Sequence, residues 1–229
     1  MTFIIAVQLN DSILIAADNK EVIVKEDQIN DLMEHSTSKL YSWSNGIITG
    51  TGESYVINRA IKLFTEISQS KLKYLPQCLD ISRQIRELEV GKDCFQIENT
   101  KLLCSSYSKH GAQLYKIERF ALSQPYTFTA IEPMDITVWM FDPNIELIST
   151  DLQNLYTDLK DYAAFSSQAE WINYYINRLA PIYQKQSQQD SLMSQSFDFF
   201  FQTKNEYIIG HVPNTQNSAI EFKEISYNF

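Results

Sequence analysis

Residues 2–20 read TFIIAVQLNDSILIAADNK, two apolar runs with one polar pair, Asn10-Asp11, between them. Short runs of this kind, rich in Ile, Val and Phe and broken by turn-forming residues, predict two strands of a hairpin. The amino terminus is therefore read as a buried strand and not as a loose tail. Residues 39–50, KLYSWSNGIITG, repeat the arrangement, with Ser44-Asn45-Gly46 as the turn between KLYSW and IIT.

After Gly50-Thr51-Gly52 the period changes. Val56, Ile57, Ala60, Ile61, Phe64 and Ile67 recur at three and four residues, which predicts an amphipathic helix with one buried face. A second helix is expected with Cys78, Ile81, Ile85 and Leu88 on its apolar stripe and Gly91 just beyond its end. Strands return at 101–107 and 112–117, joined through Lys109-His110-Gly111, and again at 126–130 and 136–141; all four are assigned to a second sheet. Two more helices follow, one carrying Leu147, Ile148, Leu152, Leu155, Tyr156 and Leu159, the other Trp171, Tyr174, Tyr175, Arg178 and Leu179. Pro181 is expected to kink or end the latter. The Gln/Ser-rich stretch 184–195 reads as a loop, and strands at 197–202 and 206–212 close the chain. Strands, two helices, strands, two helices, strands is a segregated α+β order that fits helical layers enclosing sheets. No repeat or linker divides the 229 residues, so a single domain, 1–229, is expected.

With 44% hydrophobic and 21% charged residues the composition is that of a folded globular chain. A net charge of -9 without a Lys/Arg cluster argues against a nucleic-acid partner, because phosphate binding needs clustered cations. Cys78, Cys94 and Cys104 are odd in number and lack metal-type spacing, so they read as buried thiols in a reducing, cytoplasmic compartment. His35, His110 and His211 form no HxxxH or HExxH pairing, so no metal is expected, and the GTG triplet at 50–52 lacks the companions of a nucleotide loop. No cofactor is expected either. Asn10 and Asp11 interrupt the first apolar stretch before it could serve as a signal or membrane segment.

The opening MTFIIAVQLNDSILIAADNK resembles the start of mature proteasome β-subunits and their bacterial relatives, where a Thr begins a strand and an AAD or ASD triplet closes the hairpin. The interval from Thr2 to Asp18 matches, and SKLYSWSNGIITGTGESYVINRAIKLF resembles the segment in which a Lys starts a strand and a Gly turn leads into the first helix. LLCSSYSKHGAQLYKIE and SFDFFFQTKNEYIIGHV are more loosely similar to the family's central hairpin and closing strands. Among bacterial relatives the short start most resembles the Anbu group. The resemblance implies a four-layer αββα sandwich, two packed antiparallel sheets between helical layers, of the amino-terminal nucleophile (Ntn) hydrolase type.

It also implies a chemistry. Removal of Met1 would free Thr2 as nucleophile, its own α-amine acting as base. Lys39 takes the position of the family's catalytic Lys, Asp18 that of the carboxylate holding it, and the Gly50 N–H that of the oxyanion donor. Asp190 and Ser194 match an Asp and a Ser that support the threonine. Lys20, Ile48 and Gly52 match substrate-side positions, Ile48 and Gly52 at the floor and wall of an apolar pocket. The implied function is a threonine-type peptidase acting on peptides or unfolded proteins through an acyl-enzyme. It would work as a homo-oligomeric ring or open spiral, with any unfoldase supplied by a separate protein. The alternatives are a catalytically silent structural or binding subunit and an Ntn amidohydrolase acting on a small amide. Taken one at a time, Asp18 reads as a turn carboxylate and Lys39 as a solvated charge; only the constellation points to a site. The chain departs from the family in the 19–38 loop, which is longer and carries Glu26, Asp27, Asp31 and Glu34. It also has Asp142-Pro143-Asn144 or Glu132-Pro133 near where a Gly-Ser-Gly turn is usual. The aromatic stripe Trp171, Tyr174, Tyr175 and Tyr183 is assigned to core plus subunit contact.

Overall fold

Ile4 to Ala17 lose all their solvent exposure except at the polar turn, and the structure shows why: a layer lies on each side of them. The computed structural model describes residues 2–24, 32–91, 94–108, 111–140, 144–204, 206–215 and 222–224. The strands are β1 Ile4–Gln8, β2 Ile13–Asp18, β3 Lys20–Val24, β4 Leu32–Ser36, β5 Tyr41–Trp43, β6 Gly46–Thr51, β7 Lys101–Ser108, β8 Gly111–Glu118, β9 Thr127–Ala130, β10 Asp135–Trp139, β11 Phe197–Gln202, β12 Tyr207–Val212 and β13 Lys223–Glu224. The helices are α1 Ser54–Lys62, α2 Leu75–Val90, the short α3 Phe95–Glu98, α4 Ser149–Thr157 and α5 Gln168–Gln189.

One antiparallel sheet runs β10-β1-β2-β11-β12-β13, a second runs β5-β6-β7-β8-β9, and β3 pairs with β4 as a separate hairpin. Successive residues of a strand face opposite sides, and the three cores follow that alternation. Ile4, Ala6, Ile13, Ile15, Ala17 and Phe200 meet Ile47, Leu103 and Leu114 between the sheets. Ile5, Val7, Leu14, Ala16, Phe197, Phe199 and Phe201 pack under Trp171, Tyr175, Leu179 and Tyr183 of α5. On the far side, Ile48, Leu102, Cys104 and Ile117 pack under Val56, Ala60 and Leu79 of α1 and α2. Helix, sheet, sheet, helix is the four-layer α+β sandwich that the sequence led us to expect. The sheets are also tied by Gln8: its Nε2 donates to Ala112 O at 3.2 Å and its Oε1 accepts from Leu114 N at 2.7 Å.

Several expectations need correction. The strand expected at 136–141 is β10, which pairs with β1 in the first sheet and not with β9 in the second. Gly46 opens β6 opposite Trp43, leaving Ser44-Asn45 as the turn. Ile67, assigned to the buried face of the first helix, is exposed, because residues 63–67 form a π turn whose extra residue rotates it outward. In α2 the buried residues are Leu75, Cys78, Leu79 and Ser82, whereas Ile81, Ile85 and Leu88 face outward. Pro181 does not end α5, and 184–189 is helix and not loop; Ile182, Tyr183 and Gln186 are buried there, and their packing outweighs the lost backbone bond. The hairpin β3–β4, the strand β13 that pairs with β12, and α3 had no counterpart in the expected elements. The expected turn residues Lys109 and His110, and Asp142 and Pro143, lie outside the described residues.

Candidate active site

Antiparallel pairing of β1 with β2 puts Phe3 opposite Asp18. The Asp18 N–H donates to Phe3 O at 3.1 Å, and the Phe3 N–H returns to Asp18 Oδ1 at 2.7 Å. Asp18 is fully buried, and Lys39, at the entry to β5, reaches it from the other sheet: Lys39 Nζ donates to Oδ1 at 3.0 Å and to Oδ2 at 2.9 Å. The Lys20 N–H adds a further bond to Oδ2 at 3.2 Å. One carboxylate thus receives the ammonium, the backbone of the residue after Thr2 and the backbone two residues on. Burial pulls the Lys39 pKa below its ordinary value of 10.5, against the opposing pull of Asp18, Glu21 and Asp198. Thr2 itself is half-buried, one peptide bond from Phe3. Phe3 is held by Tyr183, ring against ring at 4.9 Å, and Tyr183 stacks on Phe197 at 4.4 Å.

Gly50 lies within β6 opposite Leu102, deeper in the strand than a turn position. A Cβ there would come within 2.6 Å of both Lys101 O and the Leu102 side chain, so only glycine fits. Gly52 makes the strand-to-helix turn at φ +117, in the region that favours glycine. Glu53 then caps α1 by accepting from Val56 N at 2.8 Å.

The remaining candidates divide. Ser194 is close: its hydroxyl accepts from Asn19 N at 3.1 Å and donates to Asn19 Oδ1 at 2.8 Å, next to Asp18. Asp190 ends α5, and its carboxylate accepts from Leu192 N at 2.9 Å, shaping the loop that carries Ser194. Lys20 Nζ donates to Ser191 O in that loop at 2.7 Å. Ile48 is fully buried in the core beneath α1, and Gly52 borders a separate cleft beside Phe95 and Thr100. Glu26, Asp27, Asp31 and Met1 lie outside the described residues.

Four residues that the sequence reading did not assign to the site, Asn19, Ser196, Asp198 and His211, complete the surroundings. Ser196 also donates to Asn19 Oδ1, at 2.8 Å. His211 Nδ1 is 2.7 Å from Asp198 Oδ1 and 3.4 Å from Asn19 Nδ2. Asp198 is buried opposite Ala17, so this cluster borders the Asp18–Lys39 pair. A lone acid within the apolar strand FDFFFQ was the signal that could have found it. Among the described residues no group of His, Cys, Asp or Glu could hold a metal ion, and no helix is long and apolar enough to cross a membrane.

The fold is a four-layer αββα sandwich, with a buried Lys–Asp pair bridging the two sheets at the end where β1 begins. No family model matches this sequence, and no curated protein does. Solved structures it is similar to include Anbu proteins. A Gly-1 mutant of Anbu from Hyphomicrobium sp. strain MC1 superposes with a TM-score of 0.59 at 12% identity, covering 99% of this chain and 87% of that one. Anbu (ancestral beta-subunit) from Yersinia bercovieri gives 0.57 at 10% identity, covering 88% and 82%. A further structure of the Hyphomicrobium Anbu gives 0.56 at 10% identity, covering 99% and 88%. At these identities the likeness establishes the fold.

Proposed function

We propose that this chain is an amino-terminal threonine hydrolase of the proteasome type, cleaving peptide bonds through an acyl-enzyme on Thr2 once Met1 is removed. The observation that carries this reading is the buried Lys39–Asp18 pair at 2.9 Å, whose carboxylate also binds the N–H of the residue that follows Thr2. A buried ion pair is costly to maintain and weak as a source of stability. A fixed ammonium beside a strand-starting threonine is what this chemistry requires. The Lys39 charge favours the neutral form of a nearby α-amine, whose ordinary pKa is about 7.7–8.0, and so enlarges the fraction able to take the hydroxyl proton. Attack by the Thr2 Oγ on the substrate carbonyl gives a tetrahedral oxyanion. Collapse expels the amine, and water activated by the α-amine releases the acyl group.

The Gly50 N–H is the oxyanion donor in this scheme. Its support is the register: Trp43 faces Gly46 across a two-residue turn, and Tyr41, the first residue of β5, faces Ile48, where the pairing with β5 has ended. Alternation of antiparallel bonds then directs the Gly50 N–H toward the side where β5 has ended, the side of the Lys39 segment. Loss of such a donor costs about 2.7–4 kcal/mol of barrier lowering. Asn19, held by Ser194 and Ser196, steadies the backbone beside Asp18. Assembly into a homo-oligomer and a peptide or unfolded-protein substrate belong to the same reading.

Intact mass and a threonine-directed β-lactone test it. Wild type is expected to lack Met1 and to gain one label, mapped to Thr2. Thr2→Ala should take none, and Lys39→Ala should label about 100-fold more slowly or worse. An unlabelled wild type that has lost Met1 overturns the reading, and retention of Met1 on the native protein favours the silent subunit.

A further inference from the structure

The sandwich is open at its other end. Phe197 pairs with Asp18 and Gln202 with Ile13, so the turn after β11 lies five residues, or roughly 17 Å, along the strand from the Lys39–Asp18 pair. Between that turn and the Ser44-Asn45 turn of the second sheet is a cavity of about 370 Å³. Its size is that of a small-molecule site. It shares no lining residue with the candidate active site.

The floor is apolar and buried: Phe200 is 1% exposed and Ile209 2%. Trp43 borders the wall but packs its ring into the core under α1, edge-on to Phe64 at 5.4 Å, with its Nε1 donating to Ser105 O at 3.1 Å. Tyr107 and Tyr207 flank the mouth, and the Tyr207 and Phe200 rings lie 5.9 Å apart at 32°. Rings from both sheets therefore line one slot. Lys204 and Glu206, both exposed at the rim, are of opposite sign, which favours no net charge in an occupant.

Two polar atoms in the wall are unsatisfied. Gln202 is 5% exposed and its Oε1 has no hydrogen-bond partner among the described residues; the Ser42 Oγ is likewise without one. A buried acceptor without a donor is disfavoured by about 1–3 kcal/mol. The last torsion of a glutamine side chain is broad, so its amide can turn toward an occupant that supplies the missing N–H.

We propose that this cavity is a second binding site, taking an uncharged, flat aromatic molecule that carries an N–H donor. The rings would stack on the occupant, and Gln202 Oε1, with its amide turned into the cavity, would accept the N–H. The site is independent of Thr2 chemistry.

Indole, a flat ring with one N–H, and 1-methylindole, which lacks that donor, are the probes. Titration of the full chain by saturation-transfer NMR is expected to give saturable indole binding near 1 mM, with 1-methylindole about 3- to 10-fold weaker. Gln202→Leu should bind both probes equally, and Tyr107→Ala, at a position 40% exposed and tolerant of change, should weaken both. Protein labelled at Thr2 should bind indole unchanged. Absence of saturable indole binding up to ~5 mM, equal binding of the two probes by wild type, or a preference that survives in Gln202→Leu overturns the proposal.

Discussion

Asp18 is fully buried and accepts from Lys39 Nζ, Phe3 N and Lys20 N. Its energetics are therefore those of a desolvated pair, in which loss of either member strands a charge away from water. Lys39→Met or Asp18→Asn alone is expected to lower stability by about 3–5 kcal/mol, and the double variant to recover most of that loss. Denaturant unfolding of the four proteins checks it, and additive losses would mean that the pair is not coupled. The neighbouring His211 Nδ1 lies 2.7 Å from the buried Asp198 Oδ1, and a proton on that nitrogen is what makes the contact a hydrogen bond. A ring nitrogen that carries its proton cannot also accept, so Asn19 Nδ2 at 3.4 Å is then a neighbour of the ring and not a donor to it. His211→Asn, which keeps a donor near that nitrogen, should preserve the β-lactone labelling rate better than His211→Ala.

At the scale of the element, helical periodicity found the helices but not which stripe is buried. In α2, Leu75, Cys78 and Leu79 lie under the sheet, while Ile81, Ile85 and Leu88 form an equally regular row on the outside. Leu79→Ala is expected to cost about 2–5 kcal/mol and Leu88→Ser to stay within about 0.5 kcal/mol, read as denaturation midpoints. The opposite ranking would mean that α2 is rotated from the face described. α5 shows the same limit. Pro181 signals a break, yet the helix continues because Tyr183 stacks on Phe197 and holds the start of β1 in place.

The whole molecule carries buried phenols in two of its three cores. Burial raises the pKa of Tyr126 from 10.0 to about 12, and it raises those of Tyr175 and Tyr183 as well. The unfolded chain loses these protons near pH 10.0 while the folded chain keeps them, so their contribution is complete below that pH and is lost as pH rises toward 12. Lys39 has the opposite sign: its pKa is lowered, so the cost of burying it is relieved as pH rises through that value toward 10.5. Thermal midpoints should fall steeply above pH 10, and Tyr126→Phe should flatten that fall; an unchanged slope would count against buried Tyr126 as a source. Much of the architecture was legible in the amino-acid string, because a strand covered on both faces is apolar at nearly every position, as in FIIAV and ILIAA, and turns need particular residues. Thr2, Asp18, Lys39 and Gly50 could be picked out by spacing and resemblance. What the string could not contain is contact between distant segments. Only the folded chain pairs β10 with β1, brings Asn19, Asp198 and His211 together beside the Lys39–Asp18 pair, and leaves Gln202 facing an aromatic slot. Local sequence determines how a segment prefers to bend and which residues avoid water. The partner each face finds is decided by all the layers closing at once.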